Sequence, residues 1–348
     1  MNAISVNHIE LYAPDAAAQA AELTDHYGFT PRGTQESPDH RSIVLDQGEI
    51  VVVVTEGRTA GHPATGYVER HGAGVGDIAL RTGDAAAAYA HAVAAGARPV
   101  APPRSQDGWV TARIGAFGDV LHTYVQPPAR EDGRRLPGFG PWGSHAGAAG
   151  HLSAVDHFAV CLEAGRLAPT VRFYESLGFA AIFEERIAVG EQAMNSTAVQ
   201  SASGGVTFTL IEPDPAATPG QIDEFLAHHQ GPGVQHVAFA TGDIVAAVGA
   251  LGARGVSFLD PPAAYYQLLT SRLEPLAHTL PELRERGILA DEDHDGQLYQ
   301  IFTSSTHPRR TLFFEVIERL RAQTFGSGNV KALYEAVELE RSGALSRP

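Results

Sequence analysis

Apolar residues fall in short runs along this chain, and three of the runs are each interrupted by one ionisable side chain. Residues 155–162 read VDHFAVCL, residues 233–239 read GVQHVAF and residues 311–318 read TLFFEVIE. Runs of this length, rich in Val, Phe and Ile, predict strands. Strand side chains alternate between faces, so Val155, His157, Ala159 and Cys161 share one face, and Phe313, Glu315 and Ile317 share another. Alanine-rich stretches predict helices at DAAAAYAHAVAAGARPV (84–100) and DIVAAVGALGARGVSFL (243–259). Each stops at a Gly-Ala-Arg or Ala-Arg-Gly sequence and then returns to strand-like residues.

The pattern occurs twice. GAGVGDIALRTGD (72–84) matches GPGVQHVAFATGD (231–243), and SVNHIELYAPD (5–15) matches AVDHFAVCLEA (154–164). An internal repeat of this kind predicts a duplicated architecture: two similar α+β halves, each a repeated βαβββ unit. The expected boundaries are an N-terminal domain over 1–130, a linker over 131–151 and a C-terminal domain over 152–348. The linker EDGRRLPGFGPWGSHAGAAGH is rich in Gly and Pro and has no periodicity. Its GFGPWG follows no strand and opens no helix, so it does not qualify as a dinucleotide fingerprint. The stretch 325–341 predicts a Gly-rich lead into an amphipathic helix, with Ala332, Leu333, Ala336 and Val337 on one face.

The interrupting residues are His157, His236 and Glu315, separated by 79 and 79 residues. An ionisable group in an apolar strand is costly unless it is paired or metal-bound. A lone strand histidine is usually satisfied by hydrogen bonds, but a Glu is seldom buried unpaired. Two imidazoles and one carboxylate are the donor set of a non-haem iron(II) centre with open positions. The matching N-terminal positions hold His8, Asp77 and, by eye, Tyr124, a set that does not make such a centre. One metal site is therefore expected, in the C-terminal half, with the N-terminal half structural. His228 and His229 in LAHHQG are expected to face solvent. DEDHDG (291–296) imitates a calcium loop, but Phe302 stands at the twelfth position, where a bidentate Glu is needed, so an acidic turn is expected.

Composition narrows the function. With 44% hydrophobic and 19% charged residues, the chain fits a globular protein. A formal net charge of −15 argues against nucleic acid as a partner. The one cysteine, Cys161, excludes an intramolecular disulfide and a thiolate cluster. MNAISVNHIELYAPD lacks a signal-peptide pattern, and no apolar run reaches the roughly 18 residues that span a bilayer, so no membrane partner and a cytoplasmic location are expected.

Longer motifs carry a family resemblance. The halves resemble the vicinal-oxygen-chelate fold, two open half-barrels with a covering C-terminal helix. GVQHVAF, QLYQIFTSSTHPRRTLFFEVIER, FGSGNVKALYEAVELER and DHRSIVL resemble the 4-hydroxyphenylpyruvate dioxygenase family over essentially the whole chain. The resemblance implies Fe(II) held by His157, His236 and Glu315, with 4-hydroxyphenylpyruvate and dioxygen as substrates. It implies Ser196, Gln221, Gln300 and Asn329 as catalytic positions, and Phe302, Phe313 and Phe325 as walls around the substrate ring. Gln221 and Gln300 would serve its phenol or its carboxylate end.

The family contains enzymes that make homogentisate and enzymes that make (S)-4-hydroxymandelate from the same substrate. Where homogentisate-forming members usually carry Pro-Leu/Ile-Asn-Glu-Pro, this chain has Thr209-Leu210-Ile211-Glu212-Pro213; where they carry Gly-Asn-Phe, it has Gly328-Asn329-Val330. Thr209, Ile211 and Val330 thus point to hydroxymandelate, which in this family feeds hydroxyphenylglycine in glycopeptide-type antibiotics. Homogentisate formation remains the alternative, followed by a non-catalytic binding protein of the same fold. The sequence leaves a homo-oligomer open, and whether the last helix is a lid or a fixed end.

Overall fold

The structure is a computed structural model that describes residues 4–130, 133–142 and 150–332. The first unit runs β1 (Ser5–Tyr12), α1 (Ala16–Asp25), β2 (Thr30–Glu36), β3 (His40–Gln47) and β4 (Ile50–Gly57). Helix α2 (Pro63–His71) leads to the second unit: β5 (Gly74–Arg81), α3 (Ala85–Ala94), β6 (Pro99–Gln106), β7 (Trp109–Gly115) and β8 (Leu121–Gln126). The third unit is β9 (Ala154–Cys161), α4 (Leu167–Ser176), β10 (Phe179–Val189), β11 (Gln192–Ser201) and β12 (Thr207–Pro213). Helix α5 (Gln221–His229) leads to the fourth, β13 (Gly233–Ala240) and α6 (Ile244–Ala253), then α7 (Ala263–Arg272), α8 (Leu280–Arg286), β14 (Leu289–Glu292), β15 (Gln297–Phe302) and β16 (Phe313–Leu320).

Each pair of units forms one eight-stranded sheet, in the orders β2-β3-β4-β1-β5-β8-β7-β6 and β10-β11-β12-β9-β13-β16-β15-β14. The duplicated α+β architecture is therefore present in both halves, down to strand order. A repeated joint explains why the short helices form. Asp15, Asp84 and Asp243 cap α1, α3 and α6 by accepting backbone N–H bonds. The end of each unit's last strand supplies an acceptor to the helix start, a second one at α1, α3 and α6 and the side-chain acceptor at α4, whose N-cap is Arg166. Glu56 accepts from Ala16 N at 3.1 Å, Gln126 from Ala85 N at 3.1 Å, Glu212 from Leu167 N at 2.9 Å and Glu318 from Ile244 N at 2.8 Å. Glu212, part of the diagnostic Thr-Leu-Ile-Glu-Pro stretch, is thus a helix cap.

One face of each sheet builds a hydrophobic core shared by both halves: Ile9, Leu11, Val52 and Ile78 join Phe158, Val160, Leu210 and Phe239 in one cluster. Phe29 meets Phe239 at 6.0 Å between ring centres, and Tyr27 meets Phe314 at 5.0 Å. Packing of this kind leaves the opposite, concave faces free to line pockets.

One expectation changes. His229 is buried, 2% exposed, because its ring stacks on His71 of α2 at 4.3 Å and its carbonyl accepts from His71 Nδ1 at 2.6 Å; His228 is exposed. The described part of the linker is packed: Leu136 is buried against Val44, Val51 and Val53, with Phe139 and Trp142 beside it. The last helix begins at 327 and continues to 332, with Ala332 buried, whereas Leu333, Ala336 and Val337 lie outside the described residues. Among the described residues, no helix is long and apolar enough to cross a membrane.

His122 shows how tightly the halves are joined. Its Nδ1–H donates to Ile78 O at 3.0 Å and its Nε2 accepts from Tyr174 Oη, across the interface, at 2.9 Å. Burial holds the ring neutral, down at about 4 from an ordinary 6.5. Between those values the unfolded chain binds a proton that the native state refuses, so stability falls as pH drops from 6.5 towards 4. Denaturant unfolding at pH 7 and pH 5 is expected to show a loss on acidification that is smaller by about 1–2 kcal/mol in His122→Gln than in the wild type. An equal loss in both would contradict this role.

Candidate metal centre

Three neighbouring strands bring the interrupting residues together. β9 pairs antiparallel with β13, and β13 pairs parallel with β16. In register, Ala238 stands opposite His157 on one side and opposite Glu315 on the other, while His236 stands opposite Ala159 and Phe313. Residues opposite one another share a face, so all three donors emerge on the concave side. The alanine between His157 and Glu315 leaves the space between them open. Two bulges refine the aim. His157 pairs with Ala238 but Val155 with Phe239, leaving Asp156 as an extra residue; Gln235 is the extra residue next to His236. Bulges re-aim side chains beside functional sites.

Donor atoms of the three residues lie within 4.8 Å of one another. Glu315 Oε2 is 3.2 Å from His236 Nε2 and 3.4 Å from His157 Nε2. Burial disfavours the imidazolium of His157, but the Glu315 and Asp156 carboxylates outweigh it and lift the ring to about 9. Burial lowers His236, with Glu315 opposing. For Glu315 burial acts upward, yet the two imidazoles hold it at about 2. A cation bound by the three groups competes with protons for the same atoms.

The donor set fits iron(II). Asp156 Oδ1 accepts from His157 Nδ1 at 2.7 Å, which fixes the ring and leaves Nε2 for a metal. Glu315 is 2% exposed and its Oε1 finds no partner among the described residues. A buried carboxylate oxygen without a partner needs a cation or a donor. Imidazole and carboxylate together, without thiolate, suit iron(II) with positions left open.

The N-terminal half lacks this set, for a reason that corrects the eye alignment. Ala79 pairs with His8, as Ala238 pairs with His157, and the β5–β8 register places Thr123, not Tyr124, where Glu315 stands. Tyr124 faces the shared core instead. Thr123 satisfies Asp77: its N–H donates to Oδ1 at 2.9 Å and its hydroxyl to Oδ2. Arg113 stands opposite Thr123 as Phe302 stands opposite Glu315, which puts a guanidinium where a metal ion would be repelled. The acidic turn at Asp293, His294 and Asp295 is a second grouping of donors, but Asp293 already accepts four backbone N–H bonds, from Asp295, Gly296, Gln323 and Thr324.

The three expected aromatic wall residues lie beside the triad. Phe325 lies 5.1 Å from the His157 ring; Phe302 and Phe313 lie 5.7 and 5.0 Å from the His236 ring. Gln300, two residues before Phe302 on β15, is 1% exposed with Oε1 unpartnered among the described residues. Its amide packs so closely on Gly326, at φ +70°, that a Cβ there would collide with it. Asn329 is fully buried; its Oδ1 accepts from Tyr265 Oη at 2.7 Å and its Nδ2 is unpartnered among the described residues. Thr209 stands opposite Ala159, in the row that contains His236, with a buried hydroxyl unpartnered among the described residues. Ile211 stands opposite Cys161 and Ser196, and packs in an apolar cluster with Ile222 and Phe225 of α5. Val330 is half-buried in the first turn of the last helix. Gln221 is not brought to this wall: it is exposed as the first residue of α5, whose buried positions are Ile222, Phe225 and His229.

Sequence reasoning missed Ala238, Asp156, Arg319 and Tyr265. Arg319 carried a signal, since a charged residue two alternations beyond Glu315 falls on the same face. Tyr265 carried none, because it meets Asn329 across 64 residues.

Comparison with known proteins places these features in context. Residues 1–126 match the family described as "Hydroxyphenylpyruvate dioxygenase, HPPD, N-terminal", and residues 154–301 match the "Glyoxalase/Bleomycin resistance protein/Dioxygenase superfamily". The chain is 32% identical to the human 4-hydroxyphenylpyruvate dioxygenase-like protein, over 97% of this chain and 96% of that one. It is 30% identical to 4-hydroxyphenylpyruvate dioxygenase of Dictyostelium discoideum, over 96% of this chain and 97% of that one. A solved structure of a mutant 4-hydroxymandelate synthase from Streptomyces coelicolor superposes with a TM-score of 0.86 at 44% identity, covering 98% of this chain and 100% of that one.

The geometry predicts two ways to empty the site. Glu315→Ala removes the anion, and Ala238→Leu fills the space between His157 and Glu315. Metal analysis after desalting is expected to show iron binding at least about tenfold weaker in each. The Leu variant is expected to remain folded, at a cost of about 1–3 kcal/mol. Wild-type iron content in either would contradict the assignment.

Proposed function

The chain belongs to the 4-hydroxyphenylpyruvate dioxygenase family, and from that premise we propose that it is an iron(II)-dependent 4-hydroxymandelate synthase. The reaction is 4-hydroxyphenylpyruvate plus dioxygen to (S)-4-hydroxymandelate plus carbon dioxide, with the 2-oxo acid supplying the electrons. His157, His236 and Glu315 would hold the iron from one face. When bound, iron(II) supplies open positions for chelating the 2-oxo acid and for activating dioxygen.

The protein's own task is then to hold the aromatic ring and choose which carbon is oxidised. Phe302, Phe313 and Phe325 offer flat apolar walls. The unpartnered polar atoms of Gln300, Thr209 and Asn329 are available for the substrate's polar ends, because buried groups of this kind are otherwise satisfied. Ser196 adds a hydroxyl on the same face as Ile211. Gln221 lies outside this wall and receives no role.

The reading of product rests on the residue identities at Thr209, Ile211 and Val330, of which Thr209 and Ile211 share one face of β12 beside β9. Ile211 belongs to an apolar cluster where homogentisate-forming members place a polar Asn. Val330 replaces a Phe and removes a ring's volume beside Asn329. Both changes let the substrate ring tilt so that its benzylic carbon, not its ring carbon, meets the oxidant. The 44% identity to a hydroxymandelate synthase supports the same choice. Homogentisate formation is the second reading, favoured by the dioxygenase names of the 30% to 32% identical relatives. In either reading residues 1–130 are a structural half, 131–151 a linker and 152–348 the catalytic half of a cytoplasmic enzyme.

One aerobic incubation with 4-hydroxyphenylpyruvate and Fe(II), resolved by chromatography, is expected to give hydroxymandelate as the major product; mostly homogentisate would overturn the proposal. Val330→Phe is expected to move the product ratio towards homogentisate by roughly fivefold to tenfold, equivalent to about 1 kcal/mol in relative barriers. An unchanged ratio removes Val330 as a determinant.

A further inference from the structure

Arg319 makes a set of contacts that joins His157 to the segment 322–325. Its Nε donates to Asp156 Oδ2 at 2.7 Å and its Nη2 to Asp156 Oδ1 at 2.8 Å, a two-pronged pair. The same Asp156 Oδ1 accepts from His157 Nδ1 at 2.7 Å. Arg319 Nη1 donates to Ala322 O at 3.2 Å and to Thr324 O at 2.6 Å. The guanidinium also lies 5.0 Å over the Phe325 ring, which in turn lies 5.1 Å from the His157 ring. The contacts close a circuit from His157 through Asp156, Arg319 and Phe325 back to His157.

Comparison of the two halves argues that this circuit belongs to the site and not to the scaffold. The bulge that presents Asp156 is repeated in the N-terminal half, where Asn7 is the extra residue and bonds His8 Nδ1 at 2.8 Å. Among the described residues no cation bonds Asn7, and Pro127 stands four residues beyond Thr123, where Arg319 stands beyond Glu315. The half that keeps the ligand triad has Asp and Arg; the half without it has Asn and Pro.

We propose that Arg319 is a positioning residue that sets the orientation of the His157 imidazole and the placing of Phe325 as one unit. Loss of the Arg319 fork then disturbs the His157 ring and the segment that carries Phe325 together, whereas loosening that segment elsewhere leaves the ring in place. The part of this inference that concerns substrate rests on the function proposed above; the link between ligand and segment does not.

A built-in control exists. Asp293 grips the same segment by accepting from Gln323 N at 2.7 Å and Thr324 N at 2.9 Å, and none of those bonds involves Asp156 or His157. The test compares Arg319→Met, Arg319→Lys and Asp293→Asn in the full-length protein. Three quantities are measured: amide hydrogen exchange across 322–330, Fe(II) affinity by chelator competition, and the visible spectrum of the Co(II)-substituted protein. Arg319→Met is expected to speed exchange across the segment, weaken Fe(II) binding about tenfold or more and alter the Co(II) spectrum. Arg319→Lys keeps a charge but loses the fork, so intermediate values are expected. It also serves if the Met variant does not fold. Asp293→Asn is expected to speed exchange and leave the Co(II) spectrum and Fe(II) affinity unchanged.

Wild-type metal affinity and spectrum in both Arg319 variants, with only a lower melting temperature, would overturn the proposal. So would identical behaviour of Arg319→Met and Asp293→Asn. None of the three readouts involves turnover, so a wild type that makes homogentisate corrects the reaction and leaves this coupling standing.

Discussion

A carboxylate buried in an apolar sheet has to be matched by positive charge, and Glu315 sets that requirement for the whole C-terminal half. It is 2% exposed, and the groups that face its oxygen are the Nε2 atoms of His157 and His236. Neither imidazole could be there without the register that sets β9, β13 and β16 side by side. Nor would the rings point correctly without the bulge at Asp156 and the methyl of Ala238. Removing any one partner leaves an uncompensated charge in a low-dielectric site, which is far more costly than an exposed one. The arrangement is therefore rigid, and the pocket walls are built around it from Phe302, Phe313 and Phe325.

The duplicated half shows what happens when that requirement is lifted. Strand order, the strand-end acceptor at each helix start and both bulges are retained, so the scaffold does not depend on the site. What differs is charge. Thr123 in place of the ligand Glu satisfies Asp77 directly, and Arg113 occupies the position of an aromatic wall. The first half then serves as a packing partner whose core residues merge with those of the second. Joints such as His122 with Tyr174 and His71 with His229 hold the two together.

Much of this was legible in the sequence because burial of charge is rare enough to stand out. His157, His236 and Glu315 interrupt apolar runs, and the repeat shows that their N-terminal counterparts differ. Register was less legible. A strand that slips by one residue reverses its faces, and one residue separates Tyr124, on the core face, from Thr123, on the face of His8 and Asp77. Long-range pairing was not legible at all: His229 is buried by a helix 158 residues away. Gln221 sits on a helix start whose outward turn the linear motif does not reveal. The linker, lacking periodicity, still packs, because Leu136 needs no periodic partner to bury itself against three valines.

Diffraction at the iron absorption edge from crystals loaded with Fe(II) tests the central claim most directly, because it asks where the metal is and not what the enzyme makes. The account predicts one strong anomalous peak bonded to His157 Nε2, His236 Nε2 and Glu315, and none beside His8 and Asp77. A principal peak at the Asp293 turn or in the N-terminal half, with the triad empty, would contradict it.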